Sequence, residues 1–218
     1  MKLVSLNCGL PREVRWRGQN VTTSIYKEPL VGRVALRTLN LDGDRQSDLS
    51  VHGGKDKAVY CYSIEHYEFW KTELLDRTLT MGAFGENFTV EGMLEDSVCI
   101  GDRFAIGTAE VVVTQPRLPC YKLGIRFESD DMVRRFLASR RTGFYLAVTR
   151  EGEVAASDEI VPLGGDPGSI SVSQIFRLYL AKEYDGEDIA QVRRVLMVRT
   201  LPESWKEYFQ GKLDRQAL

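Results

Sequence analysis

The chain has 218 residues, enough for one large domain or for a domain with a small appendage. Its 29 lysines and arginines are balanced by 31 aspartates and glutamates, giving a formal net charge of −2 at pH 7. That balance excludes a protein that coats nucleic acid through bulk positive charge, so we expect no direct nucleic-acid binding. With 43% hydrophobic and 28% charged residues, the composition is typical of a folded globular protein.

The sequence contains no segment that resembles a membrane anchor. No apolar run approaches the roughly 20 residues of a membrane-spanning helix, and the start of the chain lacks the long apolar stretch of a signal peptide. We therefore expect a cytoplasmic protein that does not bind a membrane. The four cysteines show no CxxC spacing and accompany only two histidines, so zinc-finger spacing is absent and any sulfur chemistry is expected from a single thiol.

The first 115 residues are expected to be mainly β structure. Short segments rich in β-branched residues lie between glycines and prolines and predict strands at 2–6, 21–26, 31–36 and 58–62. Ser63 is expected to cap a helix whose buried face is formed by Tyr67, Trp70 and Leu74. Further strands are predicted at 88–90, 97–100 and 109–114, with glycine-containing turns at 101–102 and 107–108 between them.

A helix of about two turns is predicted after Ser129 and Asp130, with four apolar residues on its buried side. Segments 144–148 and 153–155 then predict a β-hairpin, and the β region closes near Leu163. Short strands at this regular spacing favour a β-barrel over an alternating βαβ sheet. The expected fold class is therefore mainly β, of the α+β type, with a barrel-like domain and peripheral helices.

Residues 164–168 form a cluster of glycines and a proline that predicts a linker. Three amphipathic helical stripes follow it, which predicts a small three-helix bundle. The expected domains are a β-barrel over 1–164 and the bundle over 169–218. Trp205, Tyr208 and Phe209 at helical spacing form either the core of this bundle or a docking surface, and core packing is the commoner role for such a stripe.

The segment around Cys120 carries the strongest chemical signal. Pro116 and Pro119 restrict the backbone before the cysteine, while Arg117 and Lys122 flank it in sequence. Nearby cations favour the thiolate form of cysteine, which is the form that binds soft metals or acts as a nucleophile. The alternative is an idle or buried cysteine beside two solvated charges. The other three cysteines lie in or beside predicted strands, where a packing role is expected.

A glycine pair, Gly53 and Gly54, follows His52 and precedes Lys55 and Lys57. Glycines allow backbone amides to approach a ligand closely, and either lysine could meet an anion such as phosphate. Such a glycine pair is more often a tight bend than a binding site, and a structural role for His52 is favoured over proton transfer.

Polar residues also enter the strand predicted at 88–90. Glu86 and Asn87 would suit the hydrogen-bonding edge of a heterocycle, although turn contacts explain such residues equally well. Walker, GxGxxG, GxSxG and HExxH motifs are absent, so nucleotide kinases, Rossmann dehydrogenases, serine hydrolases of the GxSxG type and zincins lack support.

Taken in order along the chain, these motifs resemble the MOSC domain family, and most closely its YiiM-like branch. The resemblance is carried by 41–46, by 51–60, by Phe84-Gly85-Glu86-Asn87-Phe88-Thr89, by Gly101-Asp102 and by Gln115-Pro116-Arg117-Leu118-Pro119-Cys120. It extends from the first predicted strand to about Leu163. The helical tail resembles the three-helix domain that this branch carries after its MOSC domain.

The resemblance implies a β-barrel-like fold that binds the molybdenum cofactor, a molybdopterin complex, with Cys120 as the molybdenum ligand and catalytic residue. It also implies that Arg117, His52, Gly53, Gly54 and Lys57 surround the pterin and its phosphate, with Asn87 near the metal or pterin. Relatives with known activity reduce N-hydroxylated compounds, including hydroxylaminopurine base analogues, with electrons from a separate flavin-containing protein. The alternative is a carrier in which Cys120 holds the cofactor or a sulfur atom for delivery to another enzyme.

Overall fold

The computed structural model describes residues 1–48, 53–166 and 168–216. The strands are β1 (Lys2–Cys8), β2 (Arg12–Trp16), β3 (Gln19–Thr23), β4 (Glu28–Pro29), β5 (Arg33–Leu36), β6 (Val59–Ser63), β7 (Phe88–Glu91), β8 (Arg103–Ile106), β9 (Ala109–Pro116), β10 (Phe144–Arg150), β11 (Gly152–Ala155) and β12 (Ile160–Gly164). The helices are α1 (Glu65–Glu73), α2 (Tyr121–Arg126), α3 (Met132–Ser139), α4 (Val172–Leu180), α5 (Gly186–Leu196) and α6 (Glu203–Gln216), with a 3-10 turn at Lys55–Lys57. Among these described helices, none has the length and apolar character needed to cross a membrane.

The arrangement is of the mixed α+β type and is built on one sheet of eight strands. Their order is β12-β8-β9-β10-β6-β7-β1-β4, and the β6–β7 pair is parallel while the other pairs are antiparallel. Because β12 and β4 remain as edges, the sheet is not closed and the predicted barrel is not confirmed. The sheet curls far enough for Lys2 in β1 to form an antiparallel bridge with Glu159, next to β12.

The predicted hairpin between 144–148 and 153–155 is wrong. Strands β10 and β11 both form, but β11 pairs with β5 in a separate two-stranded sheet. Strand β9 pairs along β10 from Phe144 to Arg150, whereas β6 pairs with β10 only at Phe144–Leu146. After the turn the chain carries β11 to β5 rather than back along β10.

Two local predictions also fail where side chains find other partners. The segment 97–100 is a turn rather than a strand, and its Cys99 makes only a single bridge, to Ser171. Ser63 does not cap α1, because it ends β6 and its hydroxyl donates to the buried carbonyl of Met93. The predicted two-turn helix after Asp130 is confirmed as α3.

The helical tail is joined to the sheet by backbone hydrogen bonds and by a shared core. The Val172 and Ser173 amides donate to the carbonyls of Val98 at 2.9 Å and Glu95 at 2.8 Å. One hydrophobic cluster then runs without a break from the sheet into the tail, and includes Val111, Val113, Ile175, Val192, Val195 and Phe209. The tail therefore packs on the sheet, a separate three-helix bundle is not confirmed, and the domain boundary between 164 and 169 stays a prediction.

A second, aromatic cluster lies between the sheet and helices α1 and α3. Trp70 stacks on Phe136 with ring centroids 5.6 Å apart and an interplanar angle of 11°. Beside it, Gly143 adopts a positive φ of 69°, and a Cβ at this position would come within 2.3 Å of the Cys61 carbonyl oxygen. The Gly143 carbonyl accepts the backbone N–H of Arg117 at 3.0 Å. Gly143 thus holds the backbone of Arg117, the first residue after β9, in place.

Candidate functional site

Cys120 lies where the loop after β9 turns into α2. Its backbone is extended, and its carbonyl accepts the N–H of Leu123 at 3.0 Å, which starts the helix. Pro116 and Pro119 restrict the loop on the other side. The cysteine is thus held from both directions, as the sequence predicts, while its residue remains partly exposed.

Cys120 opens onto a cleft, here called the polar cleft, whose lining includes Ser24, Lys27, Asp44, Lys57, Asn87, Arg117, Cys120 and Lys122. Four of the predicted site residues therefore converge: Lys57, Asn87, Arg117 and Cys120. The charged residues that line the cleft are four cations and one carboxylate, Asp44. Such a local excess of positive charge, in a chain of net charge −2, suits an anionic ligand.

Arg117 is the least exposed of the described cations that line this cleft, with 5% of its surface exposed. Its guanidinium lies over the rings of Tyr60, at 4.9 Å, and Phe136, at 5.1 Å. Burial alone would disfavour the charge, but the nearby Tyr60, Tyr145 and Cys120 raise the pKa of Arg117, so it is a permanent cation. Its Nη1 has no hydrogen-bond partner within the described residues. An unsatisfied buried donor of this kind is a position at which a ligand acceptor can bind.

A hydrogen-bonded network links three of the residues that line the polar cleft. Lys27 Nζ lies 2.5 Å from Asp44 Oδ1, and both side chains are buried. The other oxygen of Asp44 accepts Asn87 Nδ2 at 2.9 Å. Asn87 also donates to the Asn7 carbonyl at 3.3 Å and accepts the Tyr60 N–H at 3.2 Å. Because both its amide protons are donated to the protein, Asn87 acts here in holding the network, and its proximity to metal or pterin stays a prediction.

Glu86 does not reach the cleft. Its carboxylate is fully buried and accepts hydrogen bonds from the Gly82 amide at 2.9 Å, the Thr89 hydroxyl at 3.0 Å and the Tyr67 hydroxyl. These contacts fold the turn that precedes β7. Of the two interpretations of Glu86, the structural one is therefore observed.

The glycine pair leads into the 3-10 turn that presents Lys57. Gly54 has a φ of +95°, and a Cβ there would meet nothing within 4 Å, so the residue is suited to the turn conformation rather than to a close contact. Gly53 and Gly54 are not among the described residues that line the clefts. Burial lowers the pKa of Lys57, with Asp56 opposing the shift. His52 lies outside the described residues.

A second cleft adjoins the first and has a volume of about 420 Å³. It lies between the loop after β9 and the tail, and we call it the aromatic cleft; its lining includes Pro116, Leu118, Pro119, Tyr179, Ser204, Trp205 and Tyr208. Cys120, Lys57 and Tyr145 line both clefts. Cys120 thus stands on the boundary between a cationic space and an aromatic one.

The other cysteines differ from Cys120 in their surroundings. Burial raises the pKa of Cys8 to about 12 and raises the pKa of Cys61 and Cys99. None of these three lines either cleft, and no cysteine forms a disulfide within the described residues. No group of three or more metal-binding His, Cys, Asp or Glu side chains occurs in 1–48, 53–166 and 168–216.

Sequence reasoning missed several residues of the site. Ser24, whose buried hydroxyl oxygen has no partner in the described structure, and Lys27 reach the polar cleft from the segment after β3. Tyr145 reaches it from β10. No motif marks these positions, because they come beside Cys120 only in the folded chain. The sequence shows the aromatic stripe of the tail, but it does not show that Trp205 and Tyr208 line the same cleft as Cys120.

The MOSC domain family model matches residues 48–161, which contain the 3-10 turn, β9 and the Cys120 loop. The chain belongs to the MOSC domain family. Within that family it is YiiM-like: the crystal structure of YiiM from Geobacillus stearothermophilus superimposes with a TM-score of 0.80 and 32% identity, covering 97% of this chain and 98% of that one. The match to YiiM therefore extends beyond the MOSC domain and covers 97% of this chain.

Two sequence relatives complete the comparison. The chain is 41% identical to the uncharacterized protein YflK of Bacillus subtilis over 213 residues, which is 98% of this chain and 95% of YflK. It is also 30% identical over 187 residues to a protein of Gibberella moniliformis named reductase. That match covers 83% of this chain but only 32% of the longer fungal protein, so the likeness concerns one part of it.

Proposed function

We propose that this MOSC protein binds the molybdenum cofactor in the polar cleft and reduces N-hydroxylated compounds. The observation that carries the proposal is the unsatisfied, buried Arg117 donor in a cationic cleft that Cys120 also lines. MOSC membership and the likeness to a protein named reductase support it.

The charged residues that line the polar cleft suit the phosphate of such a cofactor. Arg117, Lys57 and Lys122 would hold its phosphate through charge-assisted hydrogen bonds, which are about twice as strong as neutral ones. Ser24 offers a further unsatisfied hydroxyl oxygen. Cys120 would supply a thiolate ligand to molybdenum, the kind of soft ligand that suits this role. The hydrogen bonds of the Lys27–Asp44–Asn87 network hold this part of the cleft lining in place.

The proposed reaction converts an N-hydroxylated compound into the corresponding amine. The N–O bond breaks, two electrons and two protons are taken up, and the oxygen leaves as water. When bound, the cofactor supplies the two-electron redox chemistry. Lys57 lines both clefts. Burial lowers the pKa of its ammonium group toward neutral pH, where a proton donor is most effective. We therefore propose that Lys57 donates a proton to the departing oxygen.

The electrons are proposed to come from a separate flavin-containing protein, and the reaction to take place in the cytoplasm. Hydroxylaminopurine base analogues are the proposed substrates. Their reduction returns an ordinary amino-purine, so the activity would detoxify a base analogue.

The test is the molybdenum and pterin content of protein purified gently from cells that make the cofactor. We expect both in the wild type and a loss of about tenfold or more in Cys120→Ala, because a metal ligand is removed. Cys99→Ala is the matched control, since Cys99 is also partly exposed but lines neither cleft, and it should retain both. Wild-type protein without molybdenum, from cells whose known molybdoenzyme is loaded, would contradict the proposal.

A further inference from the structure

The loop between α3 and β10 holds both the backbone of Arg117 and one of the rings beneath its guanidinium. The Gly143 carbonyl accepts the Arg117 N–H at 3.0 Å. The carbonyl of the preceding residue, Thr142, accepts the Tyr60 hydroxyl at 2.8 Å, and the Arg117 guanidinium lies over the Tyr60 ring. Two successive carbonyls of this loop therefore set the position of the arginine.

The loop is itself anchored by a carboxylate that lines neither cleft, that of Glu95. Glu95 Oε1 accepts the Gly143 N–H at 2.7 Å, and the residue is 5% exposed. The Glu95 backbone is fixed by the tail, because its carbonyl accepts the Ser173 N–H at 2.8 Å. A chain of two hydrogen bonds thus runs from the Glu95 carboxylate through Gly143 to the backbone of Arg117.

The Glu95 carboxylate has a second buried partner, on α1. His66 Nε2 lies 2.7 Å from Glu95 Oε2, and 6% of His66 is exposed. A carboxylate only accepts hydrogen bonds, so His66 is the donor of this pair. The His66 ring is held in turn against the ring of Tyr62, edge to face with centroids 5.2 Å apart. Each oxygen of Glu95 therefore has a donor, and the two contacts hold the carboxylate in one orientation.

Gly143 depends on such an anchor. Its positive φ of 69° and the short distance from its Cβ position to the Cys61 carbonyl require glycine here. Glycine has the greatest conformational freedom of any residue, so its position is set by the hydrogen bonds that it makes. A buried carboxylate with a charged or polar partner often contributes little to stability, because desolvation offsets the attraction. What Glu95 and His66 do supply is a fixed acceptor for the Gly143 N–H.

We propose that Glu95, oriented by His66, is a positioning residue for Arg117: it fixes the loop that holds the unsatisfied guanidinium donor in the polar cleft, and so sets the affinity of that cleft for a phosphate group. The inference rests on the proposed function in that it takes Arg117 to be a phosphate ligand. It extends the site to two residues that line neither cleft and contact no ligand.

Calorimetric titration with inorganic phosphate tests the assignment without turnover, on the full chain purified from cells that cannot make the cofactor. The wild type should bind phosphate, and Glu95→Ala should weaken binding about tenfold or more, as when the outer partner of a ligand-binding residue is lost. Glu95→Gln should bind phosphate as the wild type does. Its carbonyl oxygen can accept the Gly143 N–H, while its NH2 group donates to the other tautomer of His66.

Further variants separate positioning from damage to the fold. His66→Phe keeps a ring against Tyr62 but removes the donor to Glu95, so it should weaken phosphate binding by less than Glu95→Ala does. Circular dichroism shows which variants are folded, and His66→Phe carries the test if Glu95→Ala is not. Ser63→Ala is the matched control for a lost buried hydrogen bond nearby, since the Ser63 hydroxyl donates to the Met93 carbonyl. It should lower the thermal midpoint and leave phosphate binding unchanged.

A double-mutant cycle with Arg117→Met gives a result that a merely structural role would not. In the Arg117→Met background, Glu95→Ala should not weaken phosphate binding further, whereas general damage to the cleft would still weaken the binding left to its lysines. Phosphate binding that is absent from the wild type, that survives both Glu95→Ala and His66→Phe, or that is as weak in Glu95→Gln as in Glu95→Ala would overturn the assignment. So would a loss of the same factor with and without Arg117.

Molybdenum content, measured on the same variants made in cells that supply the cofactor, separates the two proposals. Glu95→Ala should contain less molybdenum than Glu95→Gln. The predicted phosphate pattern in a chain that never contains molybdenum would leave the positioning role standing and sink the proposed function. Molybdenum in the wild type, together with phosphate binding that ignores both Glu95→Ala and His66→Phe, would do the reverse.

Discussion

Among the buried cations that line the polar cleft, Lys27 and Arg117 have opposite relations to their surroundings. Lys27 is paired at 2.5 Å with Asp44, and that carboxylate also accepts the Gly9 amide at 2.8 Å, so the lysine is part of the folded framework. Arg117 has no carboxylate partner in the described chain; aromatic faces and a backbone hydrogen bond hold it. Lys27 therefore stabilises the fold, whereas the unsatisfied donor of Arg117 is available to a ligand.

Replacing each cation by methionine should separate these roles. Lys27→Met leaves the Asp44 carboxylate buried without its counter-ion, and the free energy of unfolding should fall by about 3–5 kcal/mol. Arg117→Met removes an unsatisfied donor but also its contacts with the rings of Tyr60 and Phe136, and should leave the free energy of unfolding within about 1 kcal/mol of the wild type.

Denaturant unfolding of both variants, with molybdenum content measured in parallel, checks this pair. Arg117→Met should fold normally yet retain little cofactor. If it were as unstable as Lys27→Met, the arginine would be a structural residue and the ligand role assigned to it would lose its basis.

At the scale of elements, strand β9 connects the site to the tail. It pairs with β8 on one side and β10 on the other, and its last residues continue into the Cys120 loop. Gln115, near its end, is 3% exposed and accepts the indole N–H of Trp205 from α6. A single hydrogen bond between residues 90 positions apart thus locks a helix of the tail onto the strand that carries the site.

A double-mutant cycle measures the interaction energy between Trp205 and Gln115. Trp205→Phe and Gln115→Leu should each lower the free energy of unfolding by about 1–3 kcal/mol, because each leaves a buried polar partner unsatisfied. The double variant should lose less than the two single losses added, by about 0.5–3 kcal/mol. Trp16→Phe, on the hairpin of β2 and β3, is the control for loss of an indole and should change stability much less. Strict additivity would mean that the bond contributes nothing specific.

At the scale of the whole molecule, the tail completes the core. The apolar cluster includes Val111 and Val113 of β9 together with Ile175 and Leu178 of α4, and backbone hydrogen bonds join the segment at 95–100 to the start of α4. Removing the helices would therefore expose part of the sheet's apolar side to water, at a cost of roughly 25 cal/mol for each Å² of apolar surface.

A chain ending at residue 164 should fail to fold cooperatively and should aggregate, as followed by circular dichroism and light scattering. The matched control is the full chain with a flexible glycine–serine insertion after Gly168, an exposed position of positive φ, which leaves every packing contact available. The insertion variant should melt like the wild type. If the truncated chain unfolded in a cooperative transition like that of the full chain, the tail would not be needed for stability and would only cover the site.

Local signals in the sequence were sufficient for most elements but not for their pairing. Alternating and β-branched segments predicted β1, β6, β7 and β9, and apolar spacing predicted α3 and the tail helices. The predicted hairpin at 144–155 is wrong because β11 pairs with β5, a strand far earlier in the chain, and such a long-range pairing leaves no local signal in the sequence. The Cys120 segment was recognised because its prolines and charges are adjacent in sequence. Lys27 and Ser24 could not be recognised as site residues, because they lie between strands, carry no motif and reach the cleft only in the folded chain.

The order of pairing in the sheet has a consequence for synthesis on the ribosome. Strand β1 finds its partner β7 only some 80 residues later, β5 waits for β11, and the apolar cluster is complete only when α4 to α6 have emerged. Such long-range contacts make folding slow, and the nascent chain carries unpaired strand edges meanwhile. The growing polypeptide is therefore most vulnerable to aggregation before its last helices are made, and lowering the rate or temperature of expression should raise the folded yield.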